Sequence, residues 1–314
     1  MELVRGFQGL KPRHRGSVAT IGNFDGVHLG HQAVLKDLVK QARATGSAPT
    51  VILFEPMPQE YFAAGRPPAR LTRFAEKWPL LEAAGVERVL CLRFGPKLAE
   101  MPPEEFIDRV LMKGLAVSHL AVGDDFRFGR ERRGDFALLQ QTGVAQGFEV
   151  SHAPTLTMQG ERVSSTRIRE MLAEGDMAGA TELLGRPYSL SGRVMYGEKL
   201  GRKLGFPTVN LALRRRLPPV TGIFAARVSG AGQKPQDATA YIGRRPAAGG
   251  TELVLEAHLP GFDGDLYGQR LTVELLQRLR EDRHFDSLDA LSAQMRKDTE
   301  AALAWLAQYE KSTS

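Results

Sequence analysis

In GNFDGVHLGH, residues 22–31, His28 and His31 stand three apart among Gly22, Gly26 and Gly30. The strand-like run SVATIG (17–22) precedes them and a helix-like pattern follows. With the helix starting near His28, both imidazoles project toward its N-terminus. That end carries unpaired N–H groups and positive partial charge, which attract phosphate. Two imidazoles there can donate hydrogen bonds to a polyphosphate, and the glycines let the backbone come close. A metal site would need a third ligand, for which Asp25 is the near candidate. A plain tight turn is the remaining alternative.

Three other stretches carry polar groups suited to phosphate chemistry. In VSSTRIRE (163–170), Ser164, Ser165 and Thr166 are helix N-cap types, and Arg167 and Arg169 can pair with phosphate. In GEKLGRKLGFPTVNL (197–211), Gly197, Gly201 and Gly205 alternate with Lys199, Arg202 and Lys203. No Ser or Thr follows the lysine, so this is not a GxxxxGK[ST] loop. Thr208 and Asn210, two apart on an extended strand, point to the same side. Their oxygens could bind Mg²⁺ held by ATP phosphates. In ELVLEAHL, alternation puts Leu253, Leu255 and Ala257 on one face and Glu256 on the other. On its own, a lone strand glutamate of this kind reads as a solvated one.

The elements that must position these residues fall into two patterns. Up to about residue 155, SVATIG, TVILFEP, RVLCLRF, LAVGDDF and FEVSHAP read as short buried strands. Between them lie the helical patterns HQAVLKDLVKQARATG, RFAEKWPLLEAAG and PEEFIDRVLMKG, with Gly46, Gly85 and Gly114 at helix C′ positions. This alternation predicts an α/β domain, a parallel sheet with helices on both faces. Ligands of such sheets bind beyond the carboxyl ends of the strands, where the histidine turn lies. STRIREMLAEG and DMAGATELLG read as two short helices. After RPY (186–188) the period changes to two, predicting an antiparallel barrel or sandwich closed by a long C-terminal helix. The expected domains are 1–185 and 186–314.

The histidine turn resembles the signature of the HxGH nucleotidyltransferases in the GxFDGxHxGH form of the flavin adenylyltransferases, and VSSTRIRE matches their SSTxIR motif. The resemblance implies a Rossmann-like fold in which His28 and His31 act on the ATP triphosphate. It places ATP against Gly22, Phe24, Asp25, Gly26, Gly30, Ser164, Ser165, Thr166, Arg167 and Arg169. FEPMP (54–58) and GDDFRFGRERRGD (123–135) match the same family, implying flavin contacts at Phe54, Pro56, Pro58 and Phe126, with Asp125 near the reacting phosphates. Met57 stands where that family usually has histidine. GRKLGFPTVNL is similar to the riboflavin kinase signature, which implies ATP contacts at Gly197, Lys199, Gly201, Lys203, Gly205 and Thr208, and magnesium at Thr208 and Asn210. The pattern around Glu256, before DLYG (265–268), implies the general base for the riboflavin 5′-hydroxyl. LREDRHFDSLDAL (279–291) resembles the segment where flavin packs, with Arg280 as the contact. Around YIGRRPAAGG (241–250), Tyr241 and Ala247 depart from the family's asparagine and threonine.

Both motif sets occur in the order found in prokaryotic bifunctional riboflavin kinase/FMN adenylyltransferases. The resemblance implies that ATP phosphorylates riboflavin to FMN in the second domain. It implies that a second ATP adenylylates FMN to FAD in the first, releasing pyrophosphate. A different HxGH adenylyltransferase joined to an unrelated barrel is the rival reading.

The 314 residues, 42% hydrophobic and 25% charged, suit two globular domains. Cys91 is the single cysteine, which excludes an intrachain disulfide and a four-cysteine zinc site. The first residues lack a secretory h-region and no run is long enough to span a membrane, so a cytoplasmic protein is expected. A net charge of +6 suits anionic partners. At 7% aromatics, with no interleaved basic and aromatic stripe, the chain is not expected to bind nucleic acid.

Overall fold

The computed structural model describes residues 1–63, 65, 67–196, 205–215, 217–247 and 250–313. The chain forms two compact units, Met1–Pro68 with Lys77–Val163, and Ala69–Glu76 with Ser164–Ser314.

The first unit is built on six parallel strands: β1 (Glu2–Arg5), β2 (Ser17–Ile21), β3 (Ala48–Glu55), β4 (Arg88–Arg93), β5 (Val117–Val122) and β6 (Glu149–His152). Their order is β1-β4-β3-β2-β5-β6, and a short antiparallel ribbon of β7 (Thr157–Met158) and β8 (Glu161–Arg162) follows them in the chain. Every residue of β2 is buried, as expected for a central strand covered on both faces. From β2 the chain runs outward to β3 and β4 on one side, then returns to place β5 on the other. The carboxyl end of β2 is therefore the switch point of the sheet, where open α/β sheets bind ligands. Helix α1 (Leu29–Thr45) follows it, burying Leu35, Leu38, Val39 and Ala42 on one stripe. Each of the larger side chains contributes about 1.5–3 kcal/mol. Gly46 closes α1 in the left-handed conformation at φ 63°.

Two features differ from the sequence reading. The short strand β1 lies at the edge beside β4, where four residues were too few to register as a pattern. The helix expected across PEEFIDRVLMKG is α-helical only over Pro103–Phe106 and continues as a π-helix over Ile107–Gly114. Gly114 is thus not a C′ glycine. A side chain there would meet Leu10 Cδ1 at 2.6 Å and the Arg109 carbonyl at 2.9 Å, so glycine serves close approach.

The second unit is a closed antiparallel barrel, not an open sandwich, in the order β10-β13-β12-β11-β14-β9. These are β9 (Tyr188–Met195), β10 (Thr208–Ala212), β11 (Gly222–Ser229), β12 (Gln236–Ala247), β13 (Gly250–His258) and β14 (Arg270–Arg280). Two helices precede it, α2 (Ser165–Glu174) and α3 (Met177–Leu184), each closed by a left-handed glycine. The C-terminal helix α4 (Leu288–Thr313) packs Ala302 and Leu306 against Ala225 and Leu276 on the outside of the barrel.

Ala69–Glu76 belongs to this unit through a buried ion pair. Arg215 Nη2 donates to both Glu76 carboxylate oxygens at 2.7 and 3.0 Å, with side-chain exposures of 2% and 8%. Arg73 and the Ser191 N–H add further donors to Glu76, and Tyr188 Oη donates to the Leu71 carbonyl. Burial alone would raise the Glu76 pKa. The Arg215 charge and these donors outweigh it and hold the carboxyl below its ordinary value.

Candidate active sites

The histidine turn sits at the carboxyl end of β2. His28 is the N-cap of α1, and its Nδ1 accepts the His31 backbone N–H at 3.3 Å. That bond leaves Nε2 to carry the imidazole proton as a donor. The two rings stack with centroids 3.6 Å apart and planes 20° from parallel. Phe24 lies beneath, buried, its ring 4.9 Å from that of His31. The turn itself has left-handed residues at Phe24 (φ 47°), Gly26 (φ 85°) and Val27 (φ 41°), and two of these are not glycine. Such strain persists only where the surroundings over-determine it.

Gly30 is required for the ring geometry. A Cβ there would lie 3.2 Å from His28 Cε1, His28 Nδ1 and the Val163 carbonyl oxygen. Burial holds the His31 imidazole well below its ordinary pKa, and the charges of His28, Lys77 and Arg162 push in the same direction. His31 is therefore neutral in the free protein at pH 7. Among the described residues, its buried Nδ1 has no hydrogen-bond partner. Asp25, in the same turn, is buried. Among the described residues no three His, Cys, Asp or Glu side chains could hold a metal ion, so the metal alternative for the histidines has no third ligand there.

The other residues named for this half are distributed as follows. Asp125, just beyond β5, is exposed, with Arg162 Nη2 3.9 Å away. Phe126 stacks on Phe128, and Phe54 at the end of β3 meets the edge of Phe94. Pro56 is exposed and Pro58 half-buried, while Met57 is buried. Tyr61 and Phe62 also pack edge-on against Phe94 with centroids within 5.7 Å, and Phe62 is two-thirds exposed. The sequence reading missed these three rings; the local signals were YF two residues after FEPMP and the phenylalanine that ends RVLCLRF. Ser164 caps α2 by accepting the Arg167 N–H at 3.2 Å, with Ser165 and Thr166 in the first turn. Arg169 Nε donates to the Ala69 carbonyl at 2.6 Å. Ser164 to Arg169 are counted with the second unit.

The barrel's site is set by strand register. Asn210 on β10 lies opposite Glu256 on β13, which lies opposite Tyr241 on β12; one row along, Thr208, His258 and Thr239 align likewise. Paired residues share a face, so all six line the outside of the barrel while Leu255, Ala257, Ala240 and Ile242 fill its core. A pocket of about 590 Å³ opens over this row and is bounded by Arg280, Phe285 and Asp298. Its volume suits a single organic substrate. Glu256 lines it and is only 8% exposed, so it is no ordinary solvated glutamate.

Arg280 is held by Asp298 through bonds of 2.7–3.1 Å and lies over the Phe285 ring at 5.6 Å. Tyr241 Oη donates to Asp282 at 2.7 Å. A second hollow of about 330 Å³ meets the first at Thr208 and is lined by Phe262, Asp265 and Tyr267. The sequence reading did not find it, because its walls come from β9, β10 and the loop after β13. Gly205 is left-handed at φ 85°. Gly197, Lys199, Gly201 and Lys203 lie outside the described residues.

Comparison with known proteins finds a family match for each part of the chain. A family model described as FAD synthetase matches residues 10–167, and one described as riboflavin kinase matches residues 184–306. A bifunctional riboflavin kinase/FMN adenylyltransferase of Pseudomonas fluorescens is 50% identical over 97% of both chains. The chain belongs to the bifunctional riboflavin kinase/FMN adenylyltransferase family. The Escherichia coli K12 member is 46% identical over 95% of this chain and 96% of its own. A Streptococcus pneumoniae crystal structure titled a macrolide-efflux protein is 28% identical, with a TM-score of 0.82 over 97% of this chain and all of its own. In the present chain no described helix is long and apolar enough to cross a membrane.

Proposed function

We propose that this family member makes FMN on the barrel and FAD at the histidine turn, with the residue roles that follow. Two observations support the reading: stacked imidazoles at a helix N-terminus, and a buried carboxylate in register with Asn210. Domains 1–185 and 186–314 carry the two chemistries.

Riboflavin occupies the pocket over β13 and β12, its ring against the wall that Arg280 and Phe285 form. ATP lies toward Thr208 and Gly205, with Gly197, Lys199, Gly201 and Lys203 on its phosphates. Glu256 takes the proton from the 5′-hydroxyl as that oxygen attacks the γ-phosphorus and ADP leaves. The Thr208 hydroxyl and Asn210 carboxamide, on one face, fit a hard cation arriving on the nucleotide phosphates. Mg²⁺, when bound, neutralises charge on those phosphates.

In the other domain, an FMN phosphate oxygen attacks the α-phosphorus of ATP and pyrophosphate leaves. His28 and His31 donate to the oxygens that gain charge, aided by the N-terminus of α1. Gly22, Phe24, Asp25, Gly26 and Gly30 form the bed of the triphosphate. Ser164, Ser165, Thr166, Arg167 and Arg169 supply donors to it, and Asp125 lies near the reacting phosphates. Phe54, Pro56, Pro58 and Phe126 contact the flavin, and Tyr61, Phe62 and Phe94 extend that aromatic surface. Both steps consume ATP, which suits a cytoplasmic enzyme.

A chromatographic time course with riboflavin, ATP and Mg²⁺ tests the reading. FMN should rise first and FAD follow at its expense. Unchanged riboflavin, or FMN that never becomes FAD even when supplied directly, would contradict it.

A further inference from the structure

Lys77 is among the largest fully buried side chains of the described residues, 2% exposed. Burying an ammonium is costly, so its retention calls for compensation. Part of that compensation is visible: Nζ donates to the Asn23 backbone carbonyl at 2.5 Å. Asn23 opens the turn whose left-handed residues, Phe24, Gly26 and Val27, lead into His28. A charge-assisted bond at the first residue of a strained loop fixes the path of everything after it.

The placement is unfavourable for the free protein in another respect. Lys77, Arg162 and the positive end of α1 all bring the same sign of potential to the buried His31 ring, and His28 adds to it when protonated. A site preorganised for a polyanion has this character, since the clustered positive potential is relieved when the anion arrives.

We propose that Lys77 is a positioning residue of adenylyl transfer: its buried ammonium, anchored on the Asn23 carbonyl, holds the histidine turn in the geometry that meets the triphosphate. This rests on the reading that His28 and His31 carry that step. Lys77 acts through the turn and through its charge. It takes no part in riboflavin phosphorylation.

The test compares Lys77→Met, Lys77→Gln and Lys77→Arg with His28→Ala as a control, both activities being measured on each full-length variant. For Lys77→Met and Lys77→Gln, kcat of FMN adenylylation should fall about 10- to 150-fold, the range of one charge-assisted hydrogen bond. KM for FMN and the rate of riboflavin phosphorylation should stay within twofold. Lys77→Arg should recover most of the loss. With one positive charge gone, the acidic limb of the kcat profile should move to higher pH. FAD formation within threefold of wild type in the Met and Gln variants overturns the proposal. So does parallel loss of both activities in both variants, which marks a purely structural lysine. FAD formation surviving in His28→Ala removes the underlying reading instead, and the proposal with it.

Discussion

Gly30 shows how far one side chain's absence shapes the adenylyl-transfer site. It lies in the first turn of α1, where alanine would improve helix propensity by up to about 1 kcal/mol. The methyl group would crowd the His28 ring and the Val163 carbonyl at 3.2 Å, so the ring must move by a few tenths of an ångström. Misplacement on that scale costs reaction rate far more than propensity returns. Gly30→Ala should leave the melting temperature unchanged or slightly raised, while FAD formation from FMN drops about tenfold or more. Undiminished FAD formation would show that the stacked geometry is not required.

At this scale the sequence was informative where chemistry depends on residue type and spacing. His28, His31, Thr208 and Asn210 stood out that way, whereas Glu256 entered only through the family resemblance. It was uninformative where burial decides the role. Nothing in AEKWP marks Lys77 as a buried lysine, because its environment comes from a turn more than fifty positions away. Met57 replaces the family's histidine and is buried, so a sulfur fills space there that a loop reading leaves to solvent. Tyr241, in place of asparagine, reaches Asp282.

Among the elements, the parallel strands and α1 were legible because their periodicities are local. The register that aligns Asn210, Glu256 and Tyr241 was not, since strand pairing across some forty residues leaves no mark in either strand. The same holds for Ala69–Glu76, a segment within the first half of the chain whose contacts place it with the barrel unit. The Glu76–Arg215 pair is the part of this segment most open to test. Glu76→Gln leaves a buried guanidinium without its counter-charge, which costs about 3–5 kcal/mol.

The pair also carries a pH signature. The Glu76 carboxyl lies below its ordinary value in the folded chain. Its contribution is therefore fully present above the unfolded value of about 4.3, and is lost as pH falls through the lower folded value. Urea unfolding followed by Trp305 fluorescence should show wild-type stability dropping in that window. Glu76→Gln should be weaker at neutral pH and lack that step. Equal midpoints at pH 7 would contradict the assignment.

For the whole molecule, the proposed roles give two chemistries that share a chain but no catalytic group. FMN made on the barrel is the substrate of the histidine turn, so the product of one site can reach the other through solution, including on a different chain. The decisive measurement mixes two inactivated variants, His28→Ala and Glu256→Gln, with riboflavin, ATP and Mg²⁺. Alone, His28→Ala should stop at FMN, and Glu256→Gln should leave riboflavin untouched while still converting added FMN to FAD. The mixture should make FAD after a lag in which FMN accumulates. A mixture that makes FMN but no FAD, or a Glu256→Gln variant that phosphorylates riboflavin at the wild-type rate, would contradict the assignment of the two sites.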